Sequence, residues 1–185
     1  MDADLALVGP GLVLRPPGAG DAESFWEAVS ESVPELSRWM AWCHEGYSRE
    51  EARAWLERCA GAWEREAFDF LVTDRATGAL LGACALNHLD HGNRRANLGY
   101  WVRTSACGRG VGTEAAALAV HYGLGELGFG RIEIVAAVAN RASQRVAEKL
   151  GARREGVARN RFCFDGTYVD GVVFSLVPTD LEAAG

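Results

Sequence analysis

Three glycines stand one residue apart at Gly108, Gly110 and Gly112, directly before an alanine-rich segment with helical spacing. Glycine costs about 0.5–1 kcal/mol relative to alanine in regular structure, so such a run needs a reason. Backbone N–H groups without side-chain bulk around them can converge on one anion, and the positive N-terminal end of the following helix strengthens the site. A glycine-rich turn that serves only tight packing is the alternative. Nearby cations favour an anion site of the size of a diphosphate, and these are Arg103, Arg109, Arg141, Arg145 and Lys149.

A dinucleotide-binding site is a second interpretation of the same glycines. Gly110, Gly112 and Ala115 satisfy the pattern G-x-G-x-x-A, and Glu133 follows about 20 residues later. That fingerprint should leave a strand directly, whereas TSACG intervenes after Val102. The acidic residue should also end the next strand, whereas Glu133 lies near the beginning of one. The sequence therefore disfavours a nucleotide-dependent oxidoreductase.

The elements in the first half of the chain follow from hydrophobic spacing and capping signals. We expect a strand at residues 12–16, a helix that Asp21 caps and that runs to about Ser30, and a short helix that begins at Ser32 and Pro34. That short helix would carry Trp39 and Trp42. Ser48 and Glu51 form an S-x-x-E capping box ahead of a longer helix at about 49–65.

The sequence from residue 68 onward is predicted to form most of a sheet. Strands are expected at residues 68–73, 80–89 and 97–102, with short connections that make them antiparallel. A helix at about 113–127, a central strand at 131–138, a helix capped by Asn140 and ended by Gly151, and a hairpin of 154–164 and 167–177 turned at Asp165-Gly166 complete the list. No interior linker is evident, so residues 1–185 are expected to form one α+β domain.

Charge, hydropathy and cysteine content limit the classes of protein to which this chain can belong. The formal net charge is −6, which disfavours a broad nucleic-acid-binding surface, so an anionic ligand needs a local site. No segment is apolar for long enough to span a bilayer, and the N-terminus begins with acidic residues instead of the basic region of a signal peptide. The five cysteines are widely spaced and include no CxxC pair, which indicates reduced thiols and a cytoplasmic protein.

Two segments together carry a family resemblance. LGYWVRTSACGRGVGTEA and, some twenty residues later, VANRASQRVAEKLGA resemble the two signature segments of the GNAT superfamily of N-acetyltransferases, and in particular its RimJ/RimL branch. The resemblance extends over nearly the whole chain. It implies an α+β, sandwich-like GNAT fold: a mixed, mostly antiparallel sheet of about seven strands, flanked by helices, with splayed central strands. Relatives of this branch are often dimers, so a homodimer is compatible with it.

The resemblance also implies acetyl-CoA as cofactor. Backbone amides from Gly108 to Thr113 would bind its diphosphate, and its pantetheine arm would lie between the strand that ends at Val102 and the strand at 131–138. Asn140 matches the asparagine that hydrogen-bonds this arm. The full set of expected cofactor-binding residues is Trp101, Val102, Arg103, Gly108, Arg109, Gly110, Val111, Gly112, Thr113, Asn140, Ser143, Arg145 and Lys149.

Two positions depart from the family pattern. Cys107 stands where a glutamine or arginine usually opens the glycine motif, which removes a side-chain partner but leaves the amides in place. Ala147 stands seven residues after Asn140, where many relatives carry a tyrosine as proton donor. The chain therefore needs another donor, or it is a CoA-binding module without catalysis.

Acetyl transfer to an amine requires a polarised thioester carbonyl and a proton for the departing thiolate. A backbone N–H near Val102 is expected to polarise the carbonyl. Ser143 is expected to donate to the sulfur, although a serine in a first helical turn can instead bond only to local backbone. Cys107 is not expected to act as a nucleophile, because no histidine is tied to it by a motif. Direct transfer is therefore expected.

The acceptor is expected to be a primary amine. An α-amino group has a pKa near 8 against about 10.4 for lysine, which favours a protein or peptide N-terminus. A polyamine, an amino acid or an aminoglycoside is the alternative. Trp39 and Trp42 are expected to line the acceptor side unless they only pack a core. Candidate bases are Tyr168 and Asp170 first, then His88, His91 and Glu133; a metal site at His88 and His91 is not expected.

Overall fold

The computed structural model describes residues 5–63, 65 and 67–182. Within them lie strands β1 (Leu7–Val8), β2 (Leu12–Arg15), β3 (Ala67–Asp74), β4 (Leu80–Asp90), β5 (Arg95–Val102), β6 (Arg131–Ala137), β7 (Arg153–Phe164) and β8 (Thr167–Leu176). They form one sheet in the order β1-β2-β3-β4-β5-β6-β8-β7. Every neighbouring pair is antiparallel except β5 and β6, which are parallel. The mixed, mostly antiparallel sheet is confirmed, with eight strands in place of about seven.

Helices cover both faces of this sheet. They are α1 (Ala22–Leu36), α2 (Arg49–Ala62), α3 (Val111–His121), α4 (Arg141–Lys149) and α5 (Pro178–Glu182), and a π-helical segment, Tyr122–Glu126, continues α3. Successive strand residues face opposite sides, so Phe70 and Leu71 belong to different cores. Leu71 packs with Phe25 and Trp101 in the core under α1 and α2. Phe70 packs in the core under α3 and α4.

The N-terminal helices match the prediction only in part. The capping box before α2 is confirmed, since Ser48 Oγ accepts from the Glu51 N–H and the Glu51 carboxylate accepts from the Ser48 N–H. The separate helix at Ser32 and Pro34 is wrong, because α1 continues through both residues to Leu36. The Ser32 hydroxyl donates back to the Ala28 carbonyl at 2.7 Å and accepts from the Thr104 N–H at 3.0 Å, so it joins two buried segments and caps nothing.

Asp21 also differs from its predicted role. It precedes α1, but its side chain makes no capping hydrogen bond to that helix. Its carboxylate instead pairs with the Arg15 guanidinium at 2.6 Å and accepts from the Gly18 N–H at 2.8 Å. The residue therefore closes the turn between β2 and α1.

The second half follows the sequence closely. The predicted strands, the α4 helix and the closing hairpin are all present within two residues of their expected bounds. Asn140 caps α4 through its side-chain oxygen, which accepts from the Ser143 N–H at 3.1 Å. Gly151 ends the helix with φ of +75°, a value that glycine adopts readily. Helix α3 begins earlier than predicted, at Val111.

Strands β5 and β6 separate along their length. They pair only where Arg95–Asn97 of β5 meets Arg131–Glu133 of β6. Beyond that point β5 stays paired with β4 as far as Val102, and β6 stays paired with β8 as far as Ala137. The expected splay is therefore confirmed, and it opens a gap in the middle of the sheet at the carboxyl ends of two parallel strands.

Candidate active site

The glycine-loop cleft, which we define by the loop 107–112 and the residues facing it, lies at the open end of the splay. It holds a cavity of about 460 Å³. The loop closes one side, Trp101 and Val102 of β5 form the floor, and Asn140 with Ser143 at the start of α4 forms the other wall. Most of the residues expected to bind the cofactor are thus brought together by three separate elements.

Glycine is required at two positions of the loop. Gly108 has φ of +78° and Gly110 has φ of +84°, in the left-handed region that other residues enter only at a cost. A Cβ at either position would meet no atom within 4 Å, so backbone conformation, and not packing, demands glycine there. The packing explanation therefore fails for these two residues.

The loop presents unsatisfied backbone donors. Among the described residues, no acceptor lies within hydrogen-bond distance of the N–H groups of Gly108 through Gly112. The Thr113 N–H is different, because it donates to the Gly110 carbonyl at 3.0 Å and so is not available to a ligand. Thr113 faces the cleft all the same. Five consecutive amides, in the loop and at the start of α3, are therefore left without a partner among the described residues and can bind an anion.

Two cations complete this anion site. Arg145 and Lys149 line the cleft one turn apart on α4, and neither makes an ion pair with any described residue. Arg141 is placed differently, with its guanidinium donating to the Gln144 side chain at 3.2 Å. Arg109 belongs to the loop through its backbone and does not line the cavity.

Arg103 does not have the place expected for it. Its guanidinium donates to the Glu31 carboxylate of α1 at 2.7 Å, and its N–H donates to the Leu81 carbonyl at 2.8 Å. Both its side chain and its amide are therefore engaged by the protein. The geometry does not support a cofactor contact through either group.

The same hydrogen bond fixes the direction of the Val102 N–H. Opposed residues of antiparallel strands alternate between hydrogen-bonded and non-bonded pairs. Since the Arg103 N–H points to β4, the preceding N–H at Val102 points to the other edge of β5, into the splay. The structure thus offers a backbone donor at the place where a thioester carbonyl is expected.

Tyr100 was missed in the sequence analysis. Its hydroxyl lies 3.0 Å from Ser143 Oγ and donates to the Ser143 carbonyl at 3.1 Å. Burial raises the pKa of Tyr100 to about 12, so its hydroxyl stays protonated at neutral pH and can donate a hydrogen bond. Ala147, at the family's tyrosine position, is fully buried and presents no group to the cleft. The paired hydroxyls of Tyr100 and Ser143 are therefore candidate proton donors in the cleft.

A second cavity adjoins the cleft on the α1 and α2 face of the sheet. This aromatic pocket has a volume of about 250 Å³ and shares Met40, Tyr100 and Trp101 with the glycine-loop cleft. Its remaining lining includes Phe25, Trp42, Trp55, Asp69, Ala85, Asn87 and Gly99. Trp42 therefore lines this pocket as expected, and Trp39 lines the glycine-loop cleft.

The expected acceptor residues on the closing hairpin lie elsewhere. Tyr168 is 68% exposed and lines neither cavity. The Asp170 carboxylate accepts from the Asn160 N–H at 2.8 Å, where Asn160 has φ of +51°, so it supports an irregular part of the hairpin. The Asp170 backbone lies beside the end of β6, where its carbonyl accepts from the Val138 N–H at 3.0 Å, but neither side chain lines the cleft or the aromatic pocket.

The remaining candidates for chemistry are also engaged or remote. Glu133 pairs with Arg131 at 2.9 Å, and His88 and His91 are exposed at the far end of β4. Burial and the nearby Glu35 and Glu31 carboxylates raise the pKa of the Cys107 thiol, which disfavours the thiolate that a nucleophile needs. In the described ranges no three His, Cys, Asp or Glu side chains gather as metal ligands, and no described helix is both long and apolar enough to cross a bilayer.

Comparison with known proteins agrees with this geometry. Residues 11–153 match the family described as "Acetyltransferase (GNAT) domain". YdaF of Bacillus subtilis (strain 168), named as a candidate ribosomal N-acetyltransferase, is 31% identical over 165 residues, which cover 88% of each chain. The structure of a Vibrio cholerae protein, described as a candidate ribosomal-protein-serine acetyltransferase, is 34% identical and superimposes with a TM-score of 0.84 over 96% of this chain and 100% of that one.

A more distant structure shares the fold. RimL, a ribosomal L7/L12 α-N-protein acetyltransferase solved in complex with coenzyme A, is 21% identical and superimposes with a TM-score of 0.86 over 94% of this chain and 98% of that one. The family match covers more than half of the sequence, and the YdaF match covers most of both proteins. The chain therefore belongs to the GNAT family and is an N-acetyltransferase, a class of enzyme that takes its acetyl group from acetyl-CoA.

Proposed function

We propose that residues 1–185 act as one acetyltransferase domain whose acceptor is a primary amine, with a protein or peptide N-terminal α-amine as the leading candidate. The observation that carries the proposal is the meeting of two cavities at Tyr100. One contains the amides and cations for a diphosphate, and the other is the aromatic pocket under α1 and α2. The names of YdaF and of the Vibrio cholerae protein support a ribosomal-protein acceptor.

The residues present fit acetyl-CoA. The amides of Gly108 through Gly112 would bind the diphosphate, and Arg145 and Lys149 would add positive charge beside it. The open edge of β5, at Val102, would bind the pantetheine arm, and the Asn140 side-chain nitrogen is available to it because only the oxygen caps α4. By the same alternation the backbone groups of Trp101 face β4, so the expected backbone contact from Trp101 is not supported and this residue contributes to the floor of the cleft. When bound, acetyl-CoA supplies an activated acetyl thioester.

The protein's own groups would then orient the thioester and polarise its carbonyl. The Val102 N–H would donate to the thioester carbonyl and stabilise the negative charge that develops on its oxygen. The paired hydroxyls of Tyr100 and Ser143 would hold a proton beside the sulfur. A thiol has a pKa near 8–9, so the leaving group needs only modest assistance. The raised pKa of the Cys107 thiol supports direct transfer to the amine without a covalent enzyme intermediate.

Release of free thiol from acetyl-CoA tests the proposal directly. We expect saturable release with peptides that carry a free N-terminus, and no release with the same peptides after N-terminal acetylation. Lysine side chains alone should react more slowly at neutral pH, since about 2.4 pKa units separate their amines from an α-amine. Release with small amines but with no peptide would favour the small-molecule alternative. Binding of acetyl-CoA with no release for any amine would indicate a non-catalytic module.

The two cleft cations make a separate prediction. We expect the double variant Arg145→Ala/Lys149→Ala to raise the Kd of acetyl-CoA roughly 10- to 100-fold, because each charge-assisted contact to phosphate is worth about 1.5–3 kcal/mol before screening by solvent. Isothermal titration calorimetry at two salt concentrations would measure the change. The matched control is Arg154→Ala/Arg159→Ala, which removes two exposed cations of β7 that lie outside the cleft. An equal Kd in both double variants would contradict the assignment.

A further inference from the structure

Asp69 is a carboxylate inside the aromatic pocket that the proposed reaction does not use. It lies on β3 between Phe68 and Phe70, whose side chains are buried in the core under α3 and α4. Because successive strand residues alternate, the Asp69 side chain faces the α1 and α2 side, where it lines the pocket. An acidic residue in such a half-buried position needs a partner.

The described residues provide only weak partners. No lysine or arginine of the described residues lies within ion-pair distance of Asp69, and Arg58 acts on it only at longer range. The Cys59 thiol beside it is a weak donor. Burial raises the pKa of the Asp69 carboxyl, and the Cys59 thiol and the Arg58 charge offset this effect only in part.

Aromatic rings line the same pocket as this carboxylate. Phe25 stacks on Trp55 with 4.3 Å between ring centroids, and its edge meets Trp101 at 5.6 Å. The Trp42 ring centroid lies 6.3 Å from that of Trp101, and Trp42 is 40% exposed. Ring faces attract organic cations, most strongly those of tryptophan. A carboxylate that has no ion-pair partner among the described residues, in a pocket lined by such rings, is a site for an ammonium or guanidinium group.

The sheet register places this site at a fixed distance from the reaction centre. Asp69 is opposite Ala85 on β4, and Ala85 is opposite Gly99 on β5. Two strand spacings of about 4.8 Å separate Asp69 from Gly99, so the carboxylate lies roughly 10 Å from the open edge of β5. Asp69 therefore cannot hold the same nitrogen that attacks the thioester at that edge. The small residues Ala85 and Gly99 leave room above the sheet between the two points.

We propose that Asp69 recognises a second cationic group of the acceptor, roughly 10 Å from the amine that becomes acetylated. This proposal rests on the proposed acetyltransferase function and defines its substrate class as a dicationic amine. The second charge is an ammonium or guanidinium at the end of a chain that reaches from the open edge of β5 into the aromatic pocket. A lysine or arginine side chain close to a peptide N-terminus has this chemistry, and so does a linear diamine.

Matched acceptors test the idea in the wild-type protein. One pair is a peptide with lysine at its second position and the same peptide with norleucine there. The other pair is a linear diaminoalkane and the monoamine of the same length. We expect kcat/KM to be roughly 10-fold or more higher for the dicationic member of at least one pair, because a buried charge-assisted contact is worth about that factor. The pair that shows the difference identifies the source of the charge.

Asp69→Asn should remove this preference. It keeps the side-chain size, so we expect the KM of the dicationic acceptor to rise to that of its neutral counterpart, with kcat and the acetyl-CoA Kd changed by less than about threefold. Asp165→Asn, in the exposed turn of the closing hairpin, is the matched control. A loss of kcat with both members of a pair would overturn the proposal and assign Asp69 to proton transfer.

Failure of the inference and failure of the proposed function give different results. Wild-type turnover with no preference between the members of either pair would overturn the inference alone. No turnover with any amine would overturn the proposed function and the inference with it. The wild-type comparison does not depend on how well Asp69→Asn folds, and thermal unfolding of that variant would show whether its own result is interpretable.

Discussion

Gly110→Val is expected to weaken acetyl-CoA binding about 100-fold or more. Gly110 has φ of +84°, which is strongly unfavourable for a β-branched residue. The loop would relieve this strain by rotating peptide groups, and two or more of the amides from Gly108 to Gly112 would then turn away from the diphosphate. Each lost charge-assisted hydrogen bond is worth about 1.5–3 kcal/mol. Calorimetric titration with acetyl-CoA measures the result.

The closing hairpin offers the matched control for this variant. Gly166 also has a left-handed φ, of +76°, and a Cβ there would likewise meet nothing within 4 Å. Gly166→Val should therefore cost similar backbone strain and lower the melting temperature, yet leave the Kd of acetyl-CoA unchanged. If both variants weakened binding equally, the effect would be one of stability, and the glycine loop would lose its assigned role.

The double variant Tyr100→Phe/Ser143→Ala is expected to lower kcat about 100-fold or more, with little change in the Kd of acetyl-CoA. A positioned proton donor contributes typically 10²–10⁴-fold, and these two hydroxyls lie 3.0 Å apart beside the cleft. Each single variant leaves one hydroxyl in place, so the single variants should lose less than the pair. The one with the greater loss is the donor to the thiolate.

Steady-state kinetics of thiol release would measure this second effect. Tyr168→Phe removes a hydroxyl from a tyrosine that is 68% exposed and outside both cavities, so its kcat should equal that of the wild type. A double variant with kcat within about threefold of the wild type would assign the donor role to another group. A large rise in the acetyl-CoA Kd instead of a fall in kcat would show that the pair only positions the cofactor.

Most helices and strands could be predicted from local sequence signals. Some signals depend only on residues close by in the sequence, and the structure contains each of them. They are the capping box at Ser48, the side-chain cap of Asn140 and the left-handed glycines Gly108 and Gly110. Strand bounds in the second half were accurate because turn residues flank alternating apolar runs. The splay was expected only from the family resemblance, since no single strand carries a signal for losing its neighbour.

The departures come from contacts between distant parts of the chain. Tyr100 and Ser143, which are hydrogen-bonded, lie 43 residues apart in the sequence. Glu31 and Arg103, which form an ion pair outside the cleft, lie 72 residues apart. Neither pairing has a signature in the intervening sequence. The prediction of a separate helix at Ser32 was wrong for a similar reason. Residues of α1 are buried on one face as far as Leu36, so the helix continues through Pro34. One signal in the sequence could have identified Tyr100. It follows Gly99 and precedes Trp101 in a predicted strand, so its polar side chain must face the side of β5 opposite to Trp101.

A crystal structure of the protein with coenzyme A bound tests the central claim most directly. The account predicts diphosphate oxygens within about 3.2 Å of several amide nitrogens between Gly108 and Gly112, with the thiol end of the ligand beside Tyr100 and Ser143. A diphosphate bound elsewhere on the molecule, with those five amides facing solvent, would contradict it.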